Sequence, residues 1–222
     1  MTVAIREFAT ADDLVAAVVD TVLHSDLSHG VALTGGRVGT RVSLALLDAI
    51  KATAHSREAG VEATRFWFSD ERYLPHGDSQ RNDTALLTHA HESSVVTIES
   101  VLGPRDASTI DMAALDYQTR LHAVGMPKVA VVSIGPDGHV ASIFPGHALH
   151  RATDASVRAI TDSPKPPPVR VTWTLPLLHQ CETLLLLAAG DDKREIVQRV
   201  LAGDASLPAT DLIGNSATLF IA

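Results

Sequence analysis

The chain has one cysteine, Cys181. A single thiol forms no intrachain disulfide and supports no cysteine-based zinc site. Cys181 stands among apolar residues and reads as packing, not as a nucleophile. No cluster of lysine and arginine is present, and the formal net charge is -8, which argues against a nucleic-acid surface. Apolar runs such as LLLLAA at 184–189 are far too short to span a bilayer. Near the N-terminus Asp12 and Asp13 stand where a signal peptide would carry bases before its apolar stretch. These absences give the expectation of a cytoplasmic protein that engages neither nucleic acid nor membrane.

What is present is apolar and alternating. Apolar residues make up 45% of the 222 positions and charged residues 20%, enough for a large core. Short strand-like runs (GVALTG, TRFWFSD, SVVTIESVL, KVAVVSIG, TLLLLAAG, ATLFIA) alternate with helical spacing. Helices are expected at 12–27 with Thr10 as N-cap, at 39–56, near 79–92 starting around Asn82 or Asp83, at 107–125 and at 191–203. SVRAITD and VRVTWTL read as extended segments flanking SPKPPP, whose prolines exclude both helix and central strand. The alternation implies βαβ units: one α/β domain over 1–222 with a mostly parallel central sheet flanked by helices.

In such sheets ligands bind beyond the carboxyl ends of the strands. Four ends carry unusual residues. In TGGRVG, Gly35 and Gly36 permit close backbone approach before a helix N-terminus, and Arg37 adds charge, which suits a phosphate. A tight strand-to-helix turn explains the glycines equally well. SDERYLP sets Asp70, Glu71 and Arg72 side by side; a solvated ion pair is one reading, and an anion clamp by the Arg72 guanidinium the other. In GPDGHVAS a backbone fixed by Gly-Pro-Asp-Gly positions His139, with Asp137 able to orient its imidazole. His147 is expected as a pocket wall. GDDKRE puts Lys193 at a helix start, the wrong end for a cation unless it reaches an anion. Arg170 in PPPVRVTW is read in the same spirit.

Taken together, LTGGRVG, FSDERYLP, DSQRND, SIGPDGHVASIFPGH, PPPVRVTWTLP and AAGDDKREIV resemble the 6-phosphogluconolactonase family in order and spacing, over nearly the whole chain. The resemblance implies the fold shared with glucosamine-6-phosphate deaminases and ribose-5-phosphate isomerases. It implies hydrolysis of 6-phosphoglucono-δ-lactone, a sugar-phosphate lactone, to 6-phosphogluconate, the second step of the oxidative pentose phosphate pathway, with no metal, nucleotide or other cofactor. His139 matches the family's general base, Arg72 and Lys193 match phosphate-associated cations, and Gly35 and Gly36 match the loop lining the site. Arg37 departs from the small hydroxyl residue the family more often carries there. The nearest rival, an amino-sugar phosphate deaminase, has an acidic residue where this chain has Phe144 and a tyrosine where it has Arg72. A sugar-phosphate sensor without catalysis is the alternative from another class, but no basic helix-turn-helix precedes the first strand. The sequence leaves the oligomeric state open, with a monomer admissible.

Overall fold

The computed structural model describes residues 3–54, 63–91, 93–107, 109–214 and 217–222. Seven parallel strands form one sheet in the order β1 (Ala4–Glu7), β10 (Ala217–Ile221), β9 (Thr183–Ala188), β6 (Val129–Ser133), β2 (Val31–Leu33), β3 (Thr64–Phe68), β5 (Val96–Ile98). The mostly parallel sheet expected from the alternating pattern is therefore observed. Its central strands read as unbroken apolar runs because both faces are covered. In β6, Val129 and Val131 enter one core while Ala130 and Val132 enter the other; in β9, Leu185 and Leu187 oppose Leu184 and Leu186 in the same way.

Helices α1 (Ala11–Leu23), α2 (Gly36–Ala54) and α3 (Asn82–Ala90) supply the first core, through Leu14, Val18, Val42, Leu46 and Leu86 among others. The opposite face packs against α4 (Ile110–Val124), the short α5 (Leu175–Leu178), α6 (Arg194–Leu201) and α7 (Pro208–Leu212). Thr10 caps α1, its hydroxyl accepting the Asp13 amide at 3.1 Å, and Thr109 does the same for α4 with Met112 at 3.2 Å. The helix expected at 39–56 starts earlier, at Gly36, and its last two residues lie outside the described ones. Cys181 is buried, and burial pushes its thiol up to about 12, as packing requires. Among the described residues no helix is long and apolar enough to cross a membrane.

A second sheet, not anticipated from the sequence, is antiparallel: β4 (Asp70–Arg72), β8 (Arg170–Trp173), β7 (Val157–Ile160). The chain passes between sheets at Ser69. Its amide donates to Leu33 of the parallel sheet at 2.9 Å, and its carbonyl accepts from Trp173 of the antiparallel one at 2.8 Å. The two extended segments flanking the prolines are β7 and β8, joined by that loop.

Asn82 and Asp83 do begin α3, but neither caps it. Glu71, fully buried, does so from β4: its carboxylate accepts the amides of Asn82 at 2.8 Å and Asp83 at 2.9 Å. Asp83 instead forms a buried bidentate pair with Arg81, which also donates to the Leu74 and Val101 carbonyls. Burial first, and the Asp83 charge second, push the Glu71 carboxyl up to about 7.

Removing one partner of a buried pair strands the other charge. Asp83→Ala is expected to lower unfolding stability by about 3–5 kcal/mol, read by denaturant titration. Because Glu71 binds its proton more tightly folded than unfolded, its contribution is complete below about 4.5 and is lost as pH rises through about 7. Parent minus Glu71→Gln stability should therefore fall by roughly 3 kcal/mol between pH 4.5 and 7.5; a flat difference refutes the assignment.

Candidate active site

The strands that end in unusual residues, β9, β6, β2 and β3, are consecutive neighbours in the sheet. From β2 the chain runs outward through β3 and β5; it then returns to β6 on the other side and proceeds outward through β9 and β10. The β2–β6 junction is thus the switch point where loops diverge and leave a crevice. A pocket of about 170 Å³ opens there, lined by Gly35, Gly36, Asp70, Arg72, His139, Arg170 and Lys193. Those residues are separated in sequence by up to 158 positions (35 to 193), yet the topology brings them together. A larger cavity of about 780 Å³ adjoins it through Gly36, Ser133, Pro136 and Lys193, and Arg37 lines that one.

His139 is positioned by a tight turn off the end of β6. The amide of Gly135 donates to the His139 carbonyl at 2.8 Å, and Gly138 donates to Gly135 at 2.9 Å. Gly138 has φ 82°. At Gly135 the space is the constraint: an added Cβ would lie 2.0 Å from the His139 ring. Ala141 follows with φ 50°, a left-handed conformation unusual for a residue with a Cβ. The imidazole packs on the Phe144 ring, centroids 4.7 Å apart.

Asp137 lies beside His139 and is hydrogen-bonded to its Nδ1. Nε2 has no hydrogen-bond partner among the described residues, and the ring lines the pocket. Burial alone would raise the Asp137 carboxyl, but the bonds and charges of His139 and Lys165 hold it well below the usual carboxylate range. Lys165 belongs to the proline loop, and its ammonium stands 3.0 Å from Asp137 Oδ1. The sequence reading missed it. The available signal was a lone cation among prolines, in a segment too stiff to hold it at random.

Asp70 and Arg170 line the pocket but are largely committed to the protein. Asp70 Oδ2 accepts from the buried Ser142 hydroxyl at 2.6 Å and lies 3.8 Å from Arg170. Arg170 donates to the carbonyls of Pro167, Lys165 and Pro166, at 2.9, 3.0 and 3.2 Å, and so fastens the proline loop to β8. Arg72 Nη1 donates to the Gln80 carbonyl, while its buried Nε is unpartnered among the described residues. The Asn82 side chain fixes Asp70 from the opposite side, donating to its carbonyl at 2.7 Å. A Cβ on Gly35 would meet Asn82 Oδ1 at 2.0 Å, so this glycine serves close approach.

Lys193 is not in a helix proper but in the 3-10 turn Asp191–Lys193 just before α6. Burial, with the like charges of Arg37 and Lys165, depresses its ammonium pKa. His147 does not line the pocket. It pairs with Asp162 at 3.1 Å and faces a separate depression with His150 and Arg151, because the turn at Gly146 directs it away. Among the described residues no three His, Cys, Asp or Glu side chains cluster as metal ligands would.

The sequence model described as "Glucosamine-6-phosphate isomerases/6-phosphogluconolactonase" matches residues 7–220. A 6-phosphogluconolactonase of Streptomyces coelicolor is 36% identical, over 96% of this chain and 86% of the relative. The crystal structure of 6-phosphogluconolactonase from Leishmania guyanensis superposes with a TM-score of 0.77 at 25% identity, over 100% of this chain and 96% of that one. A monomeric glucosamine-6-phosphate deaminase superposes with a TM-score of 0.76 at 16% identity, covering 98% and 96%, a likeness of fold alone. With nearly all of its length matched, the chain belongs to the family of glucosamine-6-phosphate isomerases and 6-phosphogluconolactonases.

Proposed function

We propose that the chain hydrolyses 6-phospho-D-glucono-1,5-lactone to 6-phospho-D-gluconate, the lactone step of the oxidative pentose phosphate pathway. The observation that carries this reading is the His139–Asp137 pair, whose free Nε2 borders a pocket rimmed by Arg72 and Lys193. A lactone is an activated ester, so water can serve as the nucleophile. With Nδ1–H donated to Asp137, neutral His139 accepts at Nε2 a proton from water as the water oxygen bonds to C1. The C1–O5 bond then breaks, and the imidazolium returns that proton to the departing ring oxygen. Backbone amides of the Gly35–Gly36 turn, at the start of α2, stabilise the oxyanion.

Lys193, Arg37 and Arg72 bind the phosphate and orient the reacting carbon from a distance. Lys193 lines both cavities and Arg37 the larger one, where Arg37 takes up by charge what a hydroxyl would do. Asp70 acts through Ser142 and Arg170, keeping the pocket wall in place. Phe144 argues against the deaminase reading: an apolar ring packed on His139 offers no acid or base. A direct assay of lactone consumption separates the lactonase reading from a sugar-phosphate sensor without catalysis.

Purified protein should consume the lactone faster than its spontaneous hydrolysis and release no ammonia from glucosamine 6-phosphate. The reverse pattern overturns the proposal. His139→Ala should lose roughly 10²–10⁴-fold in kcat with little change in KM, whereas Arg72→Ala and Lys193→Met should chiefly raise KM. Gly135→Ala, whose methyl would strike the imidazole, should lower kcat as His139→Ala does while leaving substrate affinity intact; unaltered kcat would show that the ring is not held by this turn.

A further inference from the structure

We propose that Lys165 is a positioning residue for the His139 base, an inference that rests on the lactonase reading above. Lys165 Nζ lies 3.0 Å from Asp137 Oδ1 and 3.2 Å from His139 Nδ1, and 5.9 Å above the Phe144 ring. The contacts of its ammonium are to Asp137, to the Nδ1 side of the imidazole and to Phe144, and Lys165 is not among the residues lining the 170 Å³ pocket.

The lysine is held there by its backbone. Its amide and carbonyl both bond the Ser163 hydroxyl, at 3.3 and 2.9 Å, and its carbonyl also accepts from Arg170 at 3.0 Å. Ser163 is itself tied to the Pro168 carbonyl at 3.1 Å. A loop without regular structure thereby delivers one cation to a fixed place.

An ammonium can only donate. In the tautomer with hydrogen on Nδ1, Asp137 Oδ1 accepts from Lys165 and from His139 at once, and the 3.2 Å approach of Nζ to Nδ1 is an electrostatic contact between two donors, not a hydrogen bond. With the carboxylate fixed from two sides, the proton on the imidazole stays at Nδ1, and Nε2 remains the open acceptor. Without the lysine, Asp137, whose side chain is 39% exposed, is fixed by His139 alone and free to turn toward water. The ammonium also opposes the charge that His139 gains when it takes a proton from water. The base is thus prompted to surrender that proton to the ring oxygen.

The charged groups around the imidazole are Asp137 on its own loop, Lys165 on the proline loop, Asp70 and Arg72 on β4, Arg170 on β8 and Lys193 before α6. Of the cations among them, Lys165 is the one in contact with Nδ1. The Lys165–Asp137 pair is half-exposed, so its loss costs the fold little, and an effect on rate is separable from unfolding.

The test compares parent, His139→Ala, Lys165→Met and Lys165→Arg in the lactone assay across pH. Lys165→Met should lower kcat roughly 10–100-fold with KM nearly unchanged. It should also move the acidic limb of the rate profile to higher pH, and Lys165→Arg should restore both. Parent-like kcat and limb in Lys165→Met overturn the proposal, as does an equal loss in both variants with an unmoved limb. If the parent is no faster than His139→Ala, the lactonase reading has failed instead. Imidazole ¹⁵N spectra then decide the point without substrate: the Nδ1–H form in the parent should give way to mixed tautomers in Lys165→Met, and identical spectra overturn it.

Discussion

The central strands β9, β6, β2 and β3 are buried on both faces, so their flanks have no room for polar chemistry. Whatever these strands do chemically must happen where they stop. Because the chain leaves the middle of the sheet in opposite directions after β2 and β6, their terminal loops part and a crevice remains. The glycine turn, strand β4, the histidine turn and the Lys193 turn are the four segments that follow those strands at the crevice. Each is short and stiff, and each is anchored by the apolar strand before it.

An acidic protein here gathers cations in one place. Its net charge of -8 would repel a phosphorylated substrate at long range, but the pocket neighbourhood holds Arg37, Arg72, Arg170, Lys165 and Lys193. Four of the nearby carboxylates are committed within the protein. Glu71 caps α3, Asp83 neutralises Arg81, Asp70 accepts from Ser142, and Asp137 serves His139 and Lys165. Lys193 and Arg37 form no ion pair among the described residues and stand beside the cavities.

Much of this was legible in the residues. Short apolar runs and helical spacing located six of the seven parallel strands, all but β1, and the main helices, because burial on one stripe or on both faces leaves a direct trace in hydrophobicity. His139, Asp137, Arg72 and Lys193 were legible because glycine, proline and charge interrupt apolar runs at strand ends. The antiparallel sheet was not, since β4 is only Asp70–Arg72 and reads as the tail of β3. Lys165 was hidden because its importance lies in a contact across 26 residues with His139, which no local pattern encodes. The capping of α3 by Glu71 was hidden for the same reason: the helix's own first residues are good cap formers, yet tertiary partners claim them. His147 was misplaced because a single glycine decides which way the chain turns after Phe144.

The alternation of β4 has a further consequence. Asp70 and Arg72 face the pocket, and Glu71, between them, faces the helix start behind it. Three adjacent charges escape mutual burial by pointing to opposite sides. A shortening or lengthening of this segment by one residue would swap the sides, drive the capping carboxylate into the pocket and strand the guanidinium against α3. The stretch from Ser69 to Arg72 is therefore constrained in its length more tightly than in its composition.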